Sequence, residues 1–133
     1  MNTDEQWMQI AIQEAMVAEN EGEVPVGAVI VRDDELIGAA HNEVNRTNDP
    51  TAHAEILAIT QAANIVGDWR LNECTLFVTK EPCPMCAGAT IISRMGEVHF
   101  AFTDPKMGGL GGSTSLHELP HSNHKPKVFK GTL

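Results

Sequence analysis

The chain is 133 residues long, 42% hydrophobic and 20% charged, with nine basic and eighteen acidic side chains and a net charge of −9. That length suits one compact domain able to bury a core without disulfide help, so residues 1–133 are expected to form a single unit. No apolar run is long enough to span a bilayer, the start lacks the basic patch and apolar core of a signal peptide, and three cysteines are an odd number for a disulfide framework; a cytoplasmic protein with no membrane contact is expected.

The acidic balance counts against a polyanionic partner, because affinity for nucleic acid comes largely from Lys and Arg neutralising phosphates. The charge is uneven, however. Residues 1–79 carry −11, whereas residues 80–133 carry +2 and four of the six histidines, so any RNA path is expected along the second half.

Trp7, Ile10, Ala11, Ala15 and Ala18 recur at helical spacing over residues 7–20, with Gly22 just beyond; this predicts an amphipathic covering helix. The branched run at residues 26–31, the turn residues Asp33 and Asp34, and the return at 36–40 predict a hairpin. Pro25 and Gly27 either shape the strand entry or let a bound ring approach the backbone closely. Asn42 ends this unit as a turn former, or as a carboxamide that both donates to and accepts from a nucleotide.

Asp49 or Thr51 can cap a following helix over 52–66, which places His53 and Glu55 in its first turn. Residues 74–79 read as a buried strand, 83–93 as a helix, 98–102 as a strand and 128–129 as a short last one. His99 is assigned no role. The glycine-rich stretch 107–113 lacks the spacing of a phosphate cradle and is expected to be a mobile loop. His117, His121 and His124 have no carboxylate or cysteine at recognised ligand spacing, so their segment too is read as a loop. Strands alternating with helices define an α/β arrangement.

The chemistry concentrates in Glu81-Pro82-Cys83-Pro84-Met85-Cys86, answered upstream by His53-Ala54-Glu55. His53, Cys83 and Cys86 supply three ligands for a tetrahedral zinc ion and leave one corner for water, which zinc makes nucleophilic near neutral pH. Glu55, two positions beyond His53, can stand beside the metal without ligating it and pass protons between water and substrate. Cys74 is the one rival fourth ligand, but it begins the strand whose far end approaches the metal, roughly 20 Å or more from Cys83. A buried free thiol is expected there. The two thiolates fall at a helix start, where the dipole favours negative charge.

His-x-Glu followed by Pro-Cys-x-x-Cys resembles the signature of the zinc-dependent nucleobase deaminases. Gly22-Glu23-Val24-Pro25-Val26-Gly27-Ala28, Asn42, residues 49–55, 76–79 and 81–88, and Asp104-Pro105-Lys106 are similar to the bacterial tRNA adenosine deaminases. The resemblance covers nearly the whole chain. It implies a cytidine deaminase-like, three-layer α/β sandwich with a central mixed sheet of about five strands and helices on both faces. It also implies one Zn2+ per subunit, Glu55 as the catalytic proton carrier, and a substrate pocket that includes Val26, Asn42, Asp104 and Asn123. The implied reaction is hydrolytic conversion of adenosine to inosine at the wobble position of a tRNA anticodon loop, by a homodimer whose sites lie near the subunit contact.

Members of that family continue into a C-terminal helix rich in basic and aromatic residues, whereas this sequence stops at Leu133; either the chain is cut short or its RNA surface is reduced. A deaminase of a free nucleobase or nucleoside, such as guanine or cytosine, shares the metal motif and fits the charge better. A non-catalytic zinc-binding module, in which the ligands merely pin two helices together, would want a fourth protein ligand and leave Glu55 superfluous.

Overall fold

A computed structural model describes residues 2–133 and contains five strands in one mixed sheet, ordered β2-β1-β3-β4-β5. The chain opens with α1 (Asp4–Asn20), which buries five residues, Trp7, Met8, Ala11, Ala15 and Ala18. Its start is fixed by a capping box: Thr3 Oγ1 accepts from the Gln6 amide at 3.2 Å while the Thr3 amide donates to Gln6 Oε1 at 2.8 Å.

Strands β1 (Gly27–Arg32) and β2 (Glu35–His41) form the expected antiparallel hairpin. Asp33 and Asp34 both take positive φ, 51° and 61°, the left-handed conformation a two-residue turn needs to match the strand twist. A one-turn helix α2 (Val44–Thr47) follows, then α3 (Ala54–Val66), which ends at Gly67 with φ 76° and its amide bonded to Ala63 O. Strand β3 (Thr75–Lys80) runs antiparallel to β1. Helix α4 (Pro84–Ile92) then crosses over so that β4 (Glu97–Phe102) lies parallel to β3, and β5 (Lys127–Lys130) adds parallel to β4.

Period-two alternation sorts the strands between two cores. Ala28, Ile30, Leu76, Val78, Val98 and Phe100 face the α3 and α4 side, where they pack with Ala54, Ala58, Ala62 and Ala87. Val29, Val31 and Phe77 face α1 and pack with Trp7, Met8 and Ala11. Each large side chain so buried contributes about 1.5–3 kcal/mol. The result is the expected three-layer sandwich.

Several local expectations change. Helix α3 starts two residues late, so His53 is its N-cap, and Asp49 makes its own turn by accepting from Thr51 N and Oγ1 at 2.9 and 2.7 Å. Gly27 is at a helix–strand contact: a Cβ there would meet Ala11 O and stand 2.5 Å from Ala15 N, so the close approach that requires glycine here is that of α1. His99 has a structural task. It is 4% exposed, stacked between Phe77 and Phe129 at centroid distances of 4.8 and 4.6 Å, and bonded to Thr132 Oγ1 at 3.1 Å, which ties β5 to the sheet.

Candidate active site

Helices α3 and α4 lie side by side on one face, and their first residues meet beyond the ends of the strands that feed them. His53 is the N-cap of α3 and Cys83 the N-cap of α4, with Pro84 pre-set for the first helical position. His53 Nδ1 lies 3.6 Å from Cys83 Sγ and 3.4 Å from Cys86 Sγ, and the three donor atoms fall within 4.8 Å of one another. A tetrahedral zinc with Zn–S of about 2.3 Å and Zn–N of about 2.0 Å requires N···S edges of about 3.6 Å. The donors fit zinc in both chemistry and spacing. Among the described residues this is the one such group, and it has three members. Cys74 is buried at the foot of β3 with its thiol pKa pushed up by burial, as befits a free core cysteine.

The two thiols are matched to metal binding. A hydrogen bond from Cys86 outweighs the penalty of burial and, with the Cys86 and Met85 amides and His53, lowers the Cys83 pKa to about 5. Cys86, as the donor of that bond and buried beside Glu55, is pushed up. Zinc takes both as thiolates, so binding displaces the thiol protons and weakens as pH falls.

Glu55 projects from the first turn of α3 and is 4% exposed. Burial, reinforced by the Cys83 thiolate, raises its carboxyl to about 7. A carboxyl that gains and loses a proton near neutrality is what a proton carrier requires.

These groups open into a cleft of about 280 Å³ lined by Val26, Asn42, His53, Glu55, Asp104 and Met107 among others. A broader depression of about 650 Å³ beside Trp69 contains none of the metal donors. Asn42 Oδ1 accepts from the Ala54 amide at 2.9 Å, which leaves the Nδ2 amide group as a donor uncommitted among the described residues. The carboxylate of Asp104 is committed. The Met107 and Lys106 amides, each 3.1 Å from Oδ1, and Lys80 Nζ, 3.3 Å from Oδ2, hold its pKa below the usual range. It borders the cleft as a wall.

Asn123 stands apart. It is exposed and does not line the cleft, because His124 Nε2 bonds Met95 O at 2.6 Å and anchors this segment past the far end of α4. The glycine-rich stretch also departs from expectation. Gly108, Gly109 and Leu110 are buried, and residues 108–116 are crossed by backbone hydrogen bonds, among them Gly109 N to Pro82 O and Ser113 N to Gly108 O. What organises it is Glu81, overlooked in the sequence although a carboxylate directly before Pro-Cys and glycines downstream were both visible. Glu23 likewise gathers backbone amides at α2, accepting from Asn45 N and Arg46 N at 2.9 and 2.8 Å.

A metal centre one protein ligand short, with a protonatable carboxyl pressed against it on a three-layer α/β scaffold, defines a zinc-dependent deaminase domain. Comparison with known proteins agrees. The family described as the cytidine and deoxycytidylate deaminase zinc-binding region matches residues 1–102, and the chain belongs to it. The chain is 47% identical over 133 residues to a tRNA-specific adenosine deaminase of Bacillus subtilis, covering all of this chain and 83% of that protein. With a protein of the same name from Aquifex aeolicus it shares 44% identity, covering 92% of this chain and 82% of the other. A solved structure from work on A-to-I editing by tRNA:A34 deaminases superposes with a TM-score of 0.90 at 38% identity, covering 94% of this chain and 96% of that one. A guanine deaminase structure from Bacillus subtilis gives 0.75 at 34% identity, covering 100% and 87%.

Proposed function

We propose that this chain hydrolyses adenosine to inosine at the wobble position of a tRNA anticodon. The observation that carries this reading is the buried Glu55 carboxyl beside the His53, Cys83 and Cys86 donors, in a chain 47% identical to a tRNA-specific adenosine deaminase. His53 Nδ1, Cys83 Sγ and Cys86 Sγ would hold the zinc, which when bound would supply the Lewis acidity that makes water nucleophilic near neutral pH.

Glu55 accepts the proton given up by water and delivers it to the ring nitrogen beside the reacting carbon. A C–O bond forms at that carbon; Glu55 then takes the second proton, from the new hydroxyl, and passes it to the amine, so that the carbonyl forms as the C–N bond breaks and the nitrogen leaves as ammonia. Asn42 offers its Nδ2 amine to an acceptor on the base. Val26 and Asp104 bound the cleft, which at about 280 Å³ suits one nucleobase swung out of its loop.

A second reading, deamination of free guanine, draws on the guanine deaminase neighbour and on the net charge of −9. One assay separates the two. An anticodon stem-loop bearing wobble adenosine is expected to yield inosine, with free guanine and cytosine inert; ammonia from a free base and intact stem-loop would favour the second. We further infer a single domain working in the cytoplasm, a reading supported by the likeness to tRNA-specific adenosine deaminases along the whole chain; no helix among the described residues is long and apolar enough to cross a membrane. The family likeness and the exposed Met85 and Ile92 of α4 support a homodimer, which a monomeric mass in solution would contradict.

A further inference from the structure

Glu81 is 3% exposed and has no part in the proton transfers above, yet its carboxylate gathers three backbone N–H groups from a distant segment. Oε1 accepts from Asp104 N at 2.9 Å; Oε2 accepts from Leu110 N at 3.0 Å and Gly112 N at 2.8 Å. The Glu81 amide in turn donates to Phe102 O at 2.8 Å. The fit around the carboxylate is close: a Cβ on Gly108 would overlap Oε2, and one on Gly112 would meet Asp104 O and stand 2.6 Å from Oε1. Gly109 lies against the start of α4, where a Cβ would come within 2.7 Å of Ala87 Cβ and 3.1 Å of Pro84 Cα. Residues 104–112 are thus folded around one carboxylate and laid on the helix turn that presents Cys83.

We propose that Glu81 is a positioning residue that acts through the backbone of residues 104–112 to hold Asp104 and Met107 as the wall of the cleft. A segment this rich in glycine loses much conformational freedom on ordering, and charge-assisted hydrogen bonds offset that loss better than neutral ones. Their burial makes each costly to lose. An amide at position 81 accepts on one side only; on the other, its NH2 faces an N–H, donor against donor.

The kinetic consequence rests on the deaminase reading above; the structural one does not. Zinc-loaded full-length native chain, Glu81→Gln and Glu81→Asp are compared by amide hydrogen exchange, zinc content and steady-state kinetics on the anticodon stem-loop. In Glu81→Gln, exchange at the Leu110 and Gly112 amides accelerates about tenfold while β1 and β2 and the zinc content stay native. KM rises about tenfold, with kcat within about threefold of native, as expected when binding is weakened equally in ground and transition states. A merely structural role would instead lower zinc content and kcat together and leave KM alone. Glu81→Asp, which keeps the charge but draws the carboxylate back by one methylene from the three amides, gives the same pattern and decides the matter if Glu81→Gln does not fold. Native exchange in the loop, or faster exchange with native KM, overturns the proposal. If the native chain does not deaminate the stem-loop, the functional reading fails and the exchange measurement alone decides on Glu81.

Discussion

Asn42 Oδ1 accepts the amide hydrogen of Ala54 at 2.9 Å, so the residue just after β2 tethers the start of the helix that carries Glu55. The sequence offered Asn42 as both donor and acceptor to substrate; the fold uses the acceptor. Asn42→Ala should lower stability by about 1 kcal/mol through loss of the helix-start acceptor. Asn42→Asp keeps an acceptor, with a charge favoured at that end, and should unfold near the native urea midpoint. Both should bind the stem-loop more weakly, having lost the amine. Equal destabilisation by the two would show that the Ala54 bond is not what Asn42 contributes.

Replacing Glu55 with Gln preserves volume and removes the titrating oxygen. Inosine formation should fall by on the order of 10²- to 10⁴-fold with zinc content unchanged. Metal analysis alongside single-turnover kinetics checks it, and substantial remaining turnover would take the proton-carrier role from Glu55.

Zinc joins the starts of α3 and α4, so its binding is coupled to stability. Chelation should lower both the thermal midpoint and activity, and added zinc should restore both. In Cys86→Ala added zinc should restore neither. Full activity in metal-depleted protein would contradict the donor set.

Gly27 tests whether close packing or substrate access demands glycine. A methyl there meets the backbone of Ala11 and Ala15, which cannot swing aside as a side chain would. Gly27→Ala should cost about 1–3 kcal/mol in urea unfolding and leave KM unchanged. Raised KM with native stability would return Gly27 to the pocket.

His41 gives a pH dependence of known sign. Partial burial lowers its pKa, but hydrogen bonds with Glu14 and Glu21, at 3.0 and 2.9 Å, and their charges raise it above 6.5 overall. Glu43, at 3.8 Å, adds a third carboxylate. Because the folded pKa is the higher one, the stabilisation is complete below the unfolded value of 6.5 and is lost as pH rises through the folded one. The native thermal midpoint should therefore fall more between pH 6 and pH 8 than that of His41→Asn, whose own curve should lack this component; parallel curves would refute the linkage.

Much of this protein was legible from local pattern alone. The branched apolar run over residues 26–31, the buried-strand run over 74–79, the helical spacing of Trp7, Ala11 and Ala15, and the two aspartates of the hairpin turn encode elements within a few residues of local sequence. The metal donors were legible for a chemical reason: His, Cys and Cys with a neighbouring Glu at these spacings have few other uses. Even so, α3 began later than expected, since the acceptor for its first amide comes from Asn42, twelve positions earlier in the chain.

Tertiary structure decided whatever depends on which segments become neighbours. Nothing near Glu81 in the sequence announces that Asp104, Leu110 and Gly112 will turn their amides toward it, and nothing near Asn123 announces that His124 will be fastened to Met95 at the far end of α4. Gly27 was ambiguous until α1 was seen against it. Which ligands and elements exist follows from side-chain chemistry and short-range periodicity; which backbone groups satisfy a buried carboxylate follows from strand order and helix crossover, and these leave no periodic trace in the residues they bring together.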